Sequence, residues 1–320
     1  MSDLVLKYTT RYYRVAGHLF CISLPEDTGL WKRLGQYGPF EVPAVAASES
    51  AAASEPAVSE YAEPAEAAQL LFNFMLVDEL PDVEKIVVLA PEPEAGSIQI
   101  VLCRAGSDWI FELKSPTGAG AEMLACDDFS QARFMPHTDS PAELVALVNS
   151  ALMLLFAFAS CPHNTLEIHA SVICNSGRAF LFLGKSGTGK STHSRLWLEN
   201  IPGSELMNDD NPIVRVLEDG TVMVYGSPWS GKTPCYRNVA APAGAFVKIV
   251  QDKENRIEKM GILEAYVALY SSSSGFKSDT RFADGMHPTL EKTVTGVPFY
   301  QLYCRPDSEA AEICHKEVCR

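Results

Sequence analysis

Positive charge is scarce in this sequence. Its 320 residues contain 26 Lys and Arg against 40 Asp and Glu, which gives a formal net charge of −14. Binding to nucleic acid depends on clustered basic side chains that neutralise phosphates. The scarcity of such side chains therefore argues against nucleic acid as a partner.

Cysteine pairs and long apolar runs are also lacking. The nine cysteines are scattered without a C-x-x-C pair, so neither a zinc site nor a disulfide framework is indicated. Residues 1–10 lack the basic-then-apolar order of a secretory signal. Residues 144–159 are apolar, but their shortness and the interrupting Asn149 and Ser150 favour a buried helix over a membrane span. We expect a cytoplasmic protein with reduced thiols and no membrane partner.

The composition divides the chain into two predicted domains. Residues 1–138 carry strand signals and predict a small, mainly β (α+β) domain. Within them, residues 41–68 consist almost wholly of Ala, Ser, Glu, Pro and Val, and we interpret them as a flexible acidic insertion. Residues 139–320 begin with a capped apolar helix and alternate strands with helices. We expect this second domain to be of the α/β class.

A glycine-rich loop is the strongest motif. Residues 184–191 read GKSGTGKS, follow an apolar strand pattern and match the phosphate-binding signature G-x-x-x-x-G-K-[ST]. In such loops backbone amides surround phosphate oxygens, the lysine reaches the β- and γ-phosphates, and the final hydroxyl binds Mg²⁺. The predicted nucleotide-binding residues are Gly184, Ser186, Gly187, Thr188, Gly189, Lys190, Ser191 and Thr192. The sequence therefore predicts a site for a nucleoside triphosphate with Mg²⁺.

Two acidic residues lie at the end of the next predicted strand after the glycine-rich loop. Residues 205–210 predict a short strand that ends in Asp209 and Asp210. An enzyme that cleaves a nucleoside triphosphate needs a carboxylate there to hold Mg²⁺ or to orient the attacking oxygen. We assign Ser191 and Asp210 to the metal, although either aspartate suits that role. A polar turn without catalytic function is the alternative interpretation of the acid pair.

Three further positions are candidates. His169 lies on the strand before the loop, where a histidine is more often structural. Lys232 lies in a second loop, GSPWSGKTP at 226–234, and Arg237 follows that loop. Either side chain is suited to neutralising the charge of a transferred phosphoryl group. A surface loop with a packed tryptophan explains residues 226–234 equally well.

Taken together, IHASVICNSGRAFLFLGKSGTGKST followed by LMNDDNPIVRV resembles the catalytic domain of HPr kinase/phosphorylase. That P-loop fold is related to ATP-dependent phosphoenolpyruvate carboxykinase and has a mixed sheet. The resemblance implies that the acid pair supplies the catalytic base and assists Mg²⁺, and that His169 shapes the phosphate site. Lys185 and Thr192 replace acidic residues of HPr kinases. The resemblance thus implies an ATP-using phosphotransferase without implying HPr as its substrate.

The combined expectation is an ATP- and Mg²⁺-dependent kinase that phosphorylates a hydroxyl of the serine type on a protein, peptide or small molecule. One alternative is a nucleotide-responsive binding module without turnover, and another is a carboxykinase-like activity. The sequence is compatible with a homo-oligomer and does not identify the acceptor.

Overall fold

The computed structural model describes residues 7–26, 28–44, 69–91, 96–231, 233–275, 277 and 280–320. The chain forms two compact units that divide between Ala159 and Ser160. Both are built on mixed β-sheets, and helices accompany them, which makes the protein α/β.

The first unit contains a nine-stranded sheet. Its strands, in chain order, are β1 (Tyr8–Val15), β2 (His18–Pro25), β3 (Glu41–Val42), β4 (Leu70–Leu76), β5 (Ile86–Leu89), β6 (Gln99–Ala105), β7 (Asp108–Lys114), β8 (Gly120–Ala125) and β9 (Gln131–His137). The order across the sheet is β3-β1-β2-β4-β9-β8-β7-β6-β5. Strand β4 is parallel to β2 and β9, while the other neighbours are antiparallel. The prediction of a mainly β first domain agrees with this sheet.

The apolar helix α1 (Pro141–Ser160) packs within the first unit. The Phe156 ring lies 6.1 Å from the ring of Phe20, and the Phe158 ring lies 5.3 Å from that of Phe111. We had placed a boundary near residue 138 and this helix in the nucleotide-binding domain. The division lies at residue 159 instead, because the aromatic side chains of the helix are buried with the strands that precede it.

Residues Pro141–His163 are long and apolar enough to cross a membrane by length and composition. However, 61% of the most apolar window of this stretch is buried. Contacts with aromatic side chains of the sheet account for the apolar character of such a core helix.

The predicted acidic insertion falls mostly outside the described residues. Its first two residues, Glu41–Val42, form β3 and pair with Tyr12 and Tyr13 of β1. Residues 45–68 lie outside the described part of the chain.

The second unit contains another nine-stranded sheet. Its strands are β10 (Thr165–Glu167), β11 (Ala170–Asn175), β12 (Arg178–Leu183), β13 (Glu205–Asp210), β14 (Ile213–Val216), β15 (Val222–Tyr225), β16 (Ala240–Gln251), β17 (Arg256–Lys259) and β18 (Phe299–Cys304). Seven of them run in the order β10-β14-β15-β16-β12-β11-β13, while β18 pairs with β16 and β17. Strand β16 pairs in parallel with both β12 and β18.

Four helices cover the two faces of this sheet. They are α2 (Lys190–Asn200), α3 (Ile262–Ser272), α4 (Thr280–Gly296) and α5 (Ser308–Val318). Alternate residues of β12 enter different cores, since Leu181 packs with residues of α3 and α4 while Phe182 packs with residues of α2 and α5. The second unit is therefore a three-layer α/β/α arrangement.

A tight hairpin positions the glycine-rich loop. Strands β11 and β12 pair from Ala170–Leu183 to Asn175–Arg178, which leaves a two-residue turn. Both turn residues, Ser176 and Gly177, have positive φ values of 50° and 75°, as a type I′ turn requires. The hairpin fixes the end of β12, and therefore the start of the loop at Gly184.

Candidate functional site

The glycine-rich loop 184–191 has a backbone that only glycine adopts readily. Gly184, Gly187 and Gly189 have φ values of 149°, 80° and 105°. A side chain on Gly184 would lie 2.5 Å from the hydroxyl oxygen of Thr188. That hydroxyl donates to the Lys185 carbonyl at 2.8 Å and closes the loop.

Helix α2 begins at the end of this loop. Its N-cap is Gly189, so no side chain caps its first amides. Uncapped N–H groups and the positive end of the helix dipole favour an anion at this place. Ser186 is exposed on the loop, and Thr192 is half-buried in the first turn of the helix.

Lys190 is buried at the centre of the site. Its ammonium donates to the Gly184 carbonyl at 2.9 Å and lies 2.7 Å from Nε2 of His169. An ammonium only donates, so Nε2 accepts this bond and the neutral imidazole carries its proton on Nδ1. Burial lowers the pKa of Lys190, while the nearby Asp210 and Asp209 raise it. The arrangement places a desolvated lysine beside the carbonyls of the loop.

The two aspartates divide between two partners. Ser191 Oγ donates to Asp209 Oδ1 at 2.9 Å, and His169 Nδ1 lies 3.2 Å from Asp210 Oδ1. Asp209 is buried, whereas the Asp210 side chain is 35% exposed. We had assigned Asp210 with Ser191 to the metal. The observed contact joins Ser191 to Asp209 instead, because Asp209 is the residue that the sheet register turns towards α2.

The backbone of Asp210 is strained. Its φ is 142°, which side chains rarely adopt. The loop 226–235, described here except for residue 232, approaches it closely: a side chain on Gly231 would lie 3.1 Å from Cβ and Cγ of Asp210. The Gly231 amide and the Ser230 hydroxyl donate to the Asp209 carbonyl at 2.6 and 3.1 Å. The loop 226–235 therefore forms one wall of the acid pair.

Of the two predicted cationic residues in this region, the structure describes only Arg237. Lys232 lies outside the described residues. Arg237 donates to the Glu205 carboxylate at 2.8 Å and to the Leu206 carbonyl at 2.7 Å. Those residues begin β13, whereas the acid pair ends it. The structure thus separates Arg237 from the other predicted site residues, and we withdraw its catalytic assignment.

A buried glutamate beside the site has no role in the sequence interpretation. Glu167 is 1% exposed, and its Oε1 accepts from the Ser274 hydroxyl at 3.0 Å. Its Oε2 is buried without a hydrogen-bond partner among the described residues. Burial, the largest cause, and the nearby Asp210 carboxylate together raise the pKa of Glu167 to about 8 against the lowering effect of the Ser274 hydrogen bond. Strand alternation places Glu167 on the His169 face, but its partner lies 107 residues later.

The donor set fits a magnesium nucleotide. Ser191 and Asp209 offer hydroxyl and carboxylate oxygens, the ligands that Mg²⁺ takes together with phosphates and water. Among the described residues no group of three or more His, Cys, Asp or Glu side chains has the geometry of a metal site. A metal here would accordingly depend on the oxygens of a bound nucleotide for much of its coordination.

No family model matches this chain, and the comparison with curated proteins finds no match.

Proposed function

We propose that this protein is an ATP- and Mg²⁺-dependent kinase that transfers the γ-phosphoryl group to an acceptor hydroxyl. One observation carries the proposal: two neighbouring residues of the glycine-rich loop are each connected to one carboxylate of the acid pair. Ser191 bonds directly to Asp209. Lys190 contacts His169, which in turn contacts Asp210. Phosphoryl transfer needs these elements, an anion cradle with a lysine and a carboxylate pair. The finer fold assignment, a P-loop kinase domain of the HPr kinase type, is part of this proposal.

The residues of the loop hold the nucleotide in this proposal. The amides of 184–191 and the start of α2 bind the phosphates, and Lys190 neutralises charge between the β- and γ-phosphates. Ser191 and Asp209 hold Mg²⁺, which supplies electrostatic stabilisation of the phosphate oxygens when bound.

Asp210 is the proposed base. Its carboxylate accepts from His169 Nδ1 and from the Asn211 amide at 3.1 Å, which fixes the direction of both oxygens. It is more exposed than Asp209, so an acceptor hydroxyl reaches it from solvent. His169 orients this carboxylate and connects it to Lys190. Lys232 stays a predicted charge-neutralising residue, since its neighbour Gly231 bonds to Asp209.

Labelled nucleotide tests the proposal. The purified protein is incubated with γ-labelled ATP, Mg²⁺ and cell extract, beside an Asp210→Asn variant. We expect label on a protein or small molecule with the wild type, and transfer reduced by about 10²-fold in the variant. Nucleotide binding without turnover would support a binding module instead, and nucleotide use that requires oxaloacetate would support a carboxykinase-like activity.

A further inference from the structure

A buried side chain next to the acid pair also holds the loop 226–235. Asn208 precedes the two aspartates on β13 and has no exposed surface. Its amide nitrogen lies 3.1 Å from the Ser227 hydroxyl and donates to the Trp229 carbonyl at 3.2 Å. Its amide oxygen accepts from the Asn211 backbone at 3.0 Å. The same side chain therefore holds the loop with one end and the turn after the acids with the other.

Ser227 completes this connection. Its hydroxyl donates to the Asn211 carbonyl at 2.6 Å and accepts from the Trp229 amide at 3.2 Å. All these atoms lie in buried surroundings, where a polar group left without a partner is costly. Loop and turn consequently have one favourable arrangement relative to each other.

That arrangement determines the geometry of the acids. The loop reaches Asp209 through the Gly231 amide, and Asp210 keeps its strained φ of 142° beside Gly231. A strained backbone persists only when the surrounding structure over-determines it. Asn208 precedes Asp210 in the chain and bonds to Asn211, which follows it, and to the loop 226–235 beside it. These bonds supply the constraint.

We infer that Asn208 is a positioning residue of the kinase reaction. It fixes the loop 226–235 against the acid pair and so holds Asp209 and Asp210 in their working orientation. The inference rests on the proposed function, and Asn208 acts through these residues without touching nucleotide or acceptor.

The chain offers a matched control. Asn175 is also buried, lies at the distal end of the neighbouring strand β11 and attaches a turn with its amide, donating to the Pro202 carbonyl at 3.0 Å and the Ser204 hydroxyl at 3.2 Å. Asn208→Ala and Asn175→Ala each remove a buried amide that joins two segments of the same unit. Only the first lies beside the acids.

Hydrogen exchange of the free protein gives a readout that needs no nucleotide. We expect Asn208→Ala to speed exchange in 226–235 and Asn175→Ala to leave that segment unchanged, with a difference of about 10-fold. Turnover of ATP should fall about 10-fold or more in Asn208→Ala and less than about twofold in Asn175→Ala. The dissociation constant for ATP without Mg²⁺ should change little in either variant, since the loop 184–191 is untouched.

Equal turnover and equal exchange in the two variants would overturn the role of Asn208. If Asn208→Ala does not fold, Ser227→Ala removes the partner hydroxyl and must give the same pattern. Absence of binding and turnover in the wild type would overturn the proposed function instead. The exchange data would then still decide whether Asn208 fixes the loop.

Discussion

Strand β13 carries a charged cluster at each end, and the two ends differ in burial and strain. At its start, Glu205 pairs with Arg237 at 2.8 Å, and the Glu205 side chain is 65% exposed. At its end, Asp209 is buried and Asp210 has a strained backbone. An exposed ion pair contributes roughly 0–1 kcal/mol to stability. Buried charge and strain are costly and gather at functional sites, so the comparison points to the acid end as the place of the chemistry.

Replacing a cation at each end gives the largest expected contrast. Lys190→Ala removes the buried ammonium between the loop and His169. We expect turnover of ATP to fall about 10³-fold, because one preorganised donor to the transferred group is lost. Arg237→Ala should leave turnover within about twofold, since the described contacts of that guanidinium, with Glu205 and Leu206, lie at the distal end of β13. Steady-state kinetics of both variants measure this, and equal losses would contradict the account.

Substituting the carboxylates at the two ends of β13 gives the second contrast. Asp209→Asn and Asp210→Asn should each lower turnover about 10²-fold. Only Asp209→Asn should also raise the Mg²⁺ concentration needed for half-maximal rate, because Asp209 is the partner of Ser191. Glu205→Gln, the control, should behave as wild type. Magnesium titrations of the three variants check this. If Asp210→Asn instead raises the Mg²⁺ concentration for half-maximal rate more than Asp209→Asn does, Asp210 is the metal ligand.

A methyl group at the wall of the acid pair gives a smaller effect. The added Cβ of Gly231→Ala would lie 3.1 Å from Asp210 and 3.2 Å from the Asp209 carbonyl. We expect about a 10-fold loss of turnover, because the loop must shift by a fraction of an ångström. Gly261→Ala, whose nearest neighbour would be 3.7 Å away, serves as the control. Unchanged kinetics for Gly231→Ala would show that this close approach does not matter for turnover.

The last contrast concerns the pH dependence of stability, not turnover. Burial raises the pKa of Glu167 from 4.5 to about 8. The folded protein therefore keeps a proton that the unfolded chain has lost, and the free energy of unfolding falls as pH rises between these values. Denaturant unfolding from pH 5 to 8 should show wild type losing up to about 1.4 kcal/mol per pH unit relative to Glu167→Gln. A constant difference between wild type and Glu167→Gln would mean that Glu167 is ionised.

Local patterns in the sequence predicted much of the second unit. The loop 184–191 with the strand before it and the strand 205–210 occur where we expected them, and the hairpin turn and helix α2 beside the loop follow equally local signals. Each depends on signals within a few residues, namely alternation, glycine positions and an N-terminal helix signature. The apposition of Ser191 to an acid was predictable because a single helix separates the loop from the strand.

Features set by long-range packing were not predictable. Which aspartate meets Ser191 depends on the register that pairs Ser171 with Asp209. Arg237 was misassigned because the chain after the loop 226–235 returns to the start of β13. The sequence of helix α1 did not indicate which of the two sheets would bury it. Partners distant in sequence, such as Ser274 for Glu167, leave no local pattern.

Calorimetric titration of ATP into the wild type, with and without Mg²⁺, tests the central claim most directly. We predict saturable binding at one site per chain that Mg²⁺ strengthens, and Lys190→Ala should abolish it. Absence of heat in the wild type with Mg²⁺, or equal binding by Lys190→Ala, would contradict the claim that this loop and its acids form a nucleotide site.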